Sequence, residues 1–380
     1  MTDDPPPHPA LLPTGLCDLL PPEAEREAEA VARVMKVFAS HGYRRVKPPL
    51  VEFADSLLAG SGAAVAEQTF RLVDPESQRM LGLRADITPQ VARIAATRLA
   101  DESRPLRLCY AGQCLRVRGT QIAPDRQIGQ AGIELIGNTS PAADAEIIVV
   151  GAEALTAIGI ARASFDLTLP PLAPALIDAA GITGSDRQVL AHALDRKDAA
   201  AVARHGGALA DTLTSLLLAA GPADRALAAL AAACLPKPAA LLAEQLAATV
   251  AAIRTLAPEL RITVDPIEFR GFRYHTGVSM TIYTPGRTEE LGRGGRYLSG
   301  DREPATGLTL YSDVLLRAAP PTPPRSLVYL AANADPKMAS LLRAQGYATL
   351  AGLGDGEERA ACLGCTFILR GADLLPLGGR

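Results

Sequence analysis

The sequence predicts an α+β fold: an antiparallel sheet flanked by helices, with a helical insertion and a small C-terminal α/β region. Three observations predict it. First, RLCYAGQCLRVRG (107–119) and RQIGQAGIELIG (126–137) are strand-like runs joined by the loop TQIAPD, which reads as a long hairpin. Second, strand text returns in RITVDPIEFRGFRYHTGVSMTIYTPG (261–286), after an Ala- and Leu-rich stretch, 171–258, with breaks at GITGSD, GPADR and LPKPAA that divide it into short helices. Third, the stretch after PPTPPR (320–325), a linker by composition, reads β-α-β. The expected domains are therefore 1–320, with the insertion at about 171–258, and 325–380.

Each element has a local cause. EAEREAEAVARVMKVFASH (23–41) is expected to be helical, because acidic residues at its start suit the helix dipole and Gly42 can close its end. Val31, Val34, Met35 and Phe38 form its apolar stripe. YRRVKPPLVEF is a strand interrupted by prolines, suited to an edge or an interface. LRADITPQVARIAATRLA (83–100) is a strand end and a helix, with Thr88 the expected N-cap, Pro89 beside it, and Asp86 at the corner. GRGGRY (292–297) reads as a glycine-punctuated turn, and ATGLTLYSDVLLRAAP (305–320) as a strand running into a helix.

The chain has 380 residues, 48% of them hydrophobic and 21% charged, a composition ordinary for a globular protein with two or three domains. A net charge of −3 gives no strong field for nucleic acid. No apolar run approaches membrane-spanning length, and the proline-rich start lacks the marks of a signal peptide. No membrane partner and a cytoplasmic address are the expectations. The six cysteines suit a reducing compartment; Cys362 and Cys365 form a lone CxxC, expected to be two core-facing thiols. With no paired Cys/His cluster, neither a metal nor a cofactor is expected.

The hairpin concentrates the chemistry. Side chains alternate across a strand, so Arg116 and Arg118 should share one face, and Gln130, Gly132 and Glu134 another. Gly132 leaves a gap between these two polar groups, with room for an ammonium. The alternative is a solvated face laced with cross-strand ion pairs.

The order of these pieces resembles a class II aminoacyl-tRNA synthetase core, and specifically the histidyl-tRNA synthetase family. LPTGLCDLLPPEAE resembles its opening and YRRVKPPLVE its dimer-forming first motif. RLCYAGQCLR with DRQIGQAGIELIG resembles the second motif and the following strand. EFRGFRYHTG resembles its histidine-recognition segment, and GGRY with ATGLTLYSDVLL the approach to the third motif. The resemblance spans about residues 10–318 and implies an amino-acid pocket. Asp86, Gln130 and Glu134 would hold the α-ammonium of histidine, with Thr88 beside them. Arg116 and Arg270 would face the carboxylate, while Tyr274, His275 and Tyr297 would line the imidazole side.

Departures from the family pattern fall on the nucleotide side. Arg118 stands where the second motif carries Glu, Pro124 replaces a loop Arg although Arg126 persists, and Arg273 replaces an acidic residue. The third motif's Gly-Leu-Glu-Arg becomes Tyr311, Ser312, Asp313 and Val314. Valine cannot pair with a phosphate, and Arg317 should point elsewhere by helical register. The tail carries six Lys/Arg against five Asp/Glu over 321–380, with one Phe and two Tyr, too little for gripping an anticodon stem. This pattern is similar to the regulatory subunits of ATP phosphoribosyltransferase. The resemblance implies a non-catalytic dimer that joins a short-form catalytic subunit, binds histidine for feedback and does not engage tRNA. A divergent enzyme activating histidine with ATP is the competing reading, and an RNA-binding sensor a third.

Overall fold

The computed structural model describes residues 11–120, 123–268, 274–300, 302–321, 325–353 and 358–377. The first expected helix forms as α1 (Glu23–Ser40), with Val34, Met35 and Phe38 buried and Val31 half-buried. Gly42, at φ +79°, turns the chain out of it. The prolines then divide the next run. On one side is β1 (Arg44–Arg45), on the other β2 (Val51–Phe53), followed by α2 (Ala54–Leu57) and a 3-10 stretch, Gly60–Gln68. β3 (Arg71–Val73) and β4 (Met80–Leu83) pair with β2 as a small sheet in the order β2-β4-β3.

α3 (Thr88–Thr97) follows, and then the hairpin of β5 (Leu106–Leu115) and β6 (Gln127–Ile136), antiparallel along its whole length. β5 is shorter than expected. The Arg116 amide still donates to the Arg126 carbonyl at 2.7 Å, one rung further along the hairpin, but the Val117 amide donates to the Gln68 carbonyl at 2.9 Å, so the chain leaves the β6 ladder there. Arg116 and Arg118 therefore do not extend a common strand face.

α4 (Pro141–Ala157) and β7 (Ser164–Thr168) lead into the insertion, which is helical as expected. Its helices are α5 (Leu172–Ala179), α6 (Gly184–Asp195), α7 (Ala199–His205), α8 (Ala210–Leu218), then β8 (Gly221–Pro222), α9 (Ala223–Ala232) and α10 (Lys237–Leu256). At 20 residues, α10 is long and apolar enough to cross a bilayer. It packs on α4 and buries the stripe Leu246, Val250 and Ile253.

β9 (Arg261–Asp265), β10 (His275–Tyr283), β11 (Gly292–Ser299), β12 (Glu303–Tyr311) and α11 (Ser312–Ala318) complete this unit. GRGGRY is thus a strand, not a turn. A Cβ at Gly294 would overlap the Gly307 carbonyl on β12, so that glycine permits close strand approach rather than marking a bend. Among the described residues the large sheet has the order β1-β5-β6-β12-β11-β10-β7-β9-β8. It is antiparallel apart from the β1–β5 and β7–β9 pairs.

Strict alternation gives this sheet two chemically different faces. Cys109, Ile133, Leu135, Leu308 and Leu310 join the main core with α1, α4 and the insertion. Leu106, Leu108, Tyr110, Ile136, Tyr297 and Ala305 face the other way, packed with Ile87, Val91 and Ala95 from the α3 region. The candidate site lies on this second face.

The chain divides into compact units, Met1–Pro320 and Pro321–Arg380. The second contains β13 (Leu327–Leu330), α12 (Pro336–Ala344), β14 (Ala348–Ala351), α13 (Glu358–Cys362), β15 (Phe367–Arg370) and β16 (Asp373–Pro376), in the sheet order β14-β13-β15-β16. Asp335 caps α12 by accepting the Lys337 amide at 2.9 Å. Cys365 is buried but Cys362 is exposed, so only one of the two thiols faces the core. Cys362 lies at the end of a short helix and Cys365 beyond the turn, and three residues of sequence spacing no longer put them on one side.

Candidate functional site

Strand register assembles the pocket floor. Glu134 on β6 lies opposite Gly307 on β12, which lies opposite Gly295 on β11. One step along the same face, Gly132, Thr309 and Arg293 form the next row. A Cβ on Gly307 would overlap Glu134 Oε2, so the carboxylate reaches across the sheet only because residue 307 has no side chain. Gly307→Ala is expected to displace that carboxylate. Histidine binding should weaken at least about tenfold, with a small change in the urea midpoint. Calorimetry and urea denaturation on the same preparation check the two effects separately.

Glu134 is the deepest charged group of the pocket, 1% exposed. It accepts hydrogen bonds from Thr88 Oγ1 at 3.0 Å, Tyr297 Oη at 2.9 Å and Tyr110 Oη at 3.4 Å. Burial, with the nearby Asp86 charge adding to it, pushes its carboxyl up to about 8 against the pull of those hydroxyls. The space expected beside Gly132 is already filled. A Cβ there would overlap the Tyr110 hydroxyl, which also meets Thr309 Oγ1 at 2.7 Å. The ammonium-sized gap between Gln130 and Glu134 is occupied by a phenol.

Thr88 begins α3 but does not cap it. Its hydroxyl goes to Glu134, and Asp86 Oδ1 accepts the Thr88 amide at 2.8 Å. Gln130 holds that corner from behind. Its Oε1 accepts the Ile87 amide at 3.0 Å, and its Nε2 donates to Asp86 Oδ2 at 3.1 Å. Gln130 thus orients the acidic corner without lining the cavity, whereas Asp86, Thr88 and Glu134 do line it.

The aromatic side comes from the start of β10. Tyr274 and His275 have ring centroids 4.2 Å apart, and Tyr274 meets Tyr297 edge-on at 6.4 Å. All three line the cavity. Burial, then the Arg293 charge, brings the His275 imidazole down to about 3, so it is neutral at physiological pH.

Arg270 lies outside the described residues, as does Arg273. Arg116 does not line the cavity, although its charge is felt at Tyr311, where burial dominates and raises the hydroxyl's pKa. Tyr110, Thr309, Tyr311 and Arg293 are site residues that sequence reasoning missed. Tyr110 stands opposite Gly132, a pairing set by the hairpin register, which the loop's length alone leaves open. Arg293 was hidden by reading GRGGRY as a turn.

The nucleotide-side departures have structural counterparts. Val314 packs against the main apolar core. Asp313 accepts the Gly129 amide at 2.9 Å, and Arg317 pairs with Glu289 at 2.7 Å, away from the pocket as its register predicts.

A histidyl-tRNA synthetase family signature matches residues 15–315. An ATP phosphoribosyltransferase regulatory subunit from Gluconobacter oxydans is 53% identical over 374 residues, covering 98% of both chains. One from Paramagnetospirillum magneticum is 54% identical over 359 residues, covering 94% of this chain and 95% of that one. The chain belongs to the ATP phosphoribosyltransferase regulatory subunit family. Its fold is similar to a crystal structure described as an ATP phosphoribosyltransferase regulatory subunit/histidyl-tRNA synthetase from Bacillus halodurans, with TM-score 0.80 at 22% identity and coverage of 96% and 99%. It is also similar to histidyl-tRNA synthetase from Nostoc, with TM-score 0.77 at 20% identity and coverage of 94% and 90%. Both likenesses bear on the fold, which is the class II synthetase-like α+β core expected. For the ATP phosphoribosyltransferase regulatory subunit family, a non-catalytic role accords with Val314, half-buried against the main core and not lining the cavity.

Proposed function

We propose that this chain is the regulatory subunit that a short-form catalytic ATP phosphoribosyltransferase, a glycosyltransferase, needs for activity in the first step of histidine biosynthesis. In this reading it works in the cytoplasm, binds histidine in the pocket described above, transmits feedback inhibition and does not bind tRNA. The observation that carries the reading is the asymmetry of the site. Glu134, Asp86 and the tyrosines make an amino-acid pocket in this reading, while the position of the third-motif phosphate cation is Val314, half-buried against the main core. A homodimer through the first-motif region is supported by the exposed Leu50, Leu72, Val73 and Met80 around the small sheet.

Feedback is then a coupling free energy between this pocket and the partner's active site, typically about 1–3 kcal/mol, or roughly 5- to 150-fold. The test is catalytic activity of a purified short-form subunit alone, with this protein, and with this protein plus histidine. Stimulation followed by inhibition is the expected sequence. No stimulation and no complex on size exclusion, with histidine-dependent exchange of pyrophosphate into ATP, would reverse the reading in favour of an enzyme.

A further inference from the structure

We propose that α3 carries ligand binding in the pocket to the small sheet β2-β4-β3, so that histidine tightens that sheet and the exposed apolar side chains on it. This inference rests on the amino-acid pocket proposed above. Asp86, Thr88 and Pro89 all line the cavity, so a ligand there touches the corner before α3 and the first turn of the helix. Thr88 Oγ1 donates to Glu134 Oε1 at 3.0 Å, which seats that turn on the pocket acid. Gln90 lies two residues further on. At about 100° per residue it projects from nearly the opposite side of the helix, and Arg93, three residues later, shares its side.

Those two side chains hold the entry to β2. Gln90 Nε2 donates to the Pro49 carbonyl at 2.8 Å and to Glu52 Oε1 at 2.9 Å. Arg93 Nε donates to Glu52 Oε2 at 2.9 Å while its Nη2 donates to Oε1, a two-point grip on the carboxylate. Glu52 is on β2, opposite Gly82 on β4. Arg84 makes a second connection, from the end of β4 and two residues before Asp86. Its Nε donates to the Gln113 carbonyl at 2.8 Å, its Nη1 to the Pro48 carbonyl at 3.1 Å, and its amide to the Leu50 carbonyl at 3.1 Å. Arg84 and Gln90 are buried, so a bond broken there costs the desolvation of the group left behind. α3 is therefore held by the pocket on one side and by residues 48–52 on the other, and it moves with the small sheet rather than sliding past it. A ligand that fixes the first turn of α3 should make opening of that sheet rarer. By linkage, whatever covers Leu50, Leu72, Val73 and Met80 then changes histidine affinity by the same factor.

The competing account is that this network only holds the small sheet in place. Amide hydrogen exchange of the full chain, with and without saturating L-histidine, separates the two when histidine affinity is measured by calorimetry on the same preparations. In the wild type, histidine is expected to slow exchange over residues 50–53 and 80–83 by at least about fivefold, the lower end of an ordinary coupling. Gln90→Leu and Arg93→Met each cut the connection outside the pocket. Both should bind histidine within about threefold of the wild type and lose most of that slowing. Arg93→Met, at a half-buried position, decides the matter if Gln90→Leu fails to fold. A purely structural network predicts a different result: faster exchange in the variants with and without histidine, at an unchanged ratio. That result, or a wild type that binds histidine with no change over 50–53 and 80–83, overturns the role of α3 while leaving the histidine pocket standing. Failure of the wild type to bind histidine at all removes both.

Discussion

Glu134→Ala is expected to weaken histidine binding by roughly 10- to 100-fold and to relieve feedback, with the hetero-complex still assembled. The loss corresponds to about 1.5–3 kcal/mol for a hydrogen bond involving a charged group. Truncation also strips the Thr88, Tyr297 and Tyr110 hydroxyls of their shared acceptor. Glu134→Gln keeps an acceptor and should perturb folding less. Calorimetry together with the activity assay reads the effect, and unchanged histidine affinity in Glu134→Ala would contradict the pocket. The same residue sets a pH dependence. Its carboxyl titrates near 4.5 when exposed and near 8 in the fold. Between those values the folded state holds a proton that the unfolded state has lost. Glu134 therefore makes stability fall as pH rises from about 4.5 to about 8, with no further change above that. Thermal melts of wild type and Glu134→Gln should diverge across this range, because the wild type loses stability as pH rises from about 4.5 to about 8 and the glutamine, which does not titrate, loses none from this position. An ammonium ligand favours the carboxylate, so histidine binding near pH 7 should release a proton. Binding heats in buffers of different ionisation enthalpy will reveal that release.

Arg296→Met is expected to cost about 3–5 kcal/mol of folding stability, the loss typical when one partner of a buried ion pair is removed. Arg296 and Asp144 are 6% and 3% exposed. The guanidinium donates to Asp144 Oδ2 at 3.2 Å, lies within ion-pair distance of Oδ1 at 2.9 Å, and donates to the Asn138 and Ser140 carbonyls at 2.8 and 2.9 Å. This ties β11 to the start of α4 on the face opposite the pocket. Burial already raises the Asp144 pKa against the pull of Arg296, and without that pull the carboxylate is left buried and unpaired. A domain's total stability is only about 5–15 kcal/mol, so the single variant is near the limit of folding. The double variant Arg296→Met with Asp144→Leu should recover most of the loss, because both desolvated charges are gone. Urea denaturation of the single and double variants decides it.

Arg296 also shows how tertiary structure reassigns neighbouring letters. In GRGGRY, Arg293 and Tyr297 face the pocket while Arg296 faces the core helices, an alternation that a turn would not impose. Thr88 was legible as a helix start but not as a ligand to Glu134, because a cap is a local interaction and that hydrogen bond spans 46 residues. Gly132 was legible as a gap but not as one filled by Tyr110, because the register of β5 on β6 depends on where the hairpin loop begins and ends.

By itself the sequence determined the α1 stripe, the hairpin, the divided helical insertion and the strand-to-helix passage at 305–320, and it put Val314 where the family resemblance implies a phosphate cation. These rest on short-range periodicity, turn chemistry and residue identity, each complete within a few neighbouring positions. Only the tertiary structure decided that Glu134 lies across Gly307, that Gln130 stands behind Asp86, and that Arg293 shares the floor with both glycines. Those facts depend on the register among β6, β12 and β11, strands brought together from residues 127 to 311 by packing on both faces of one sheet.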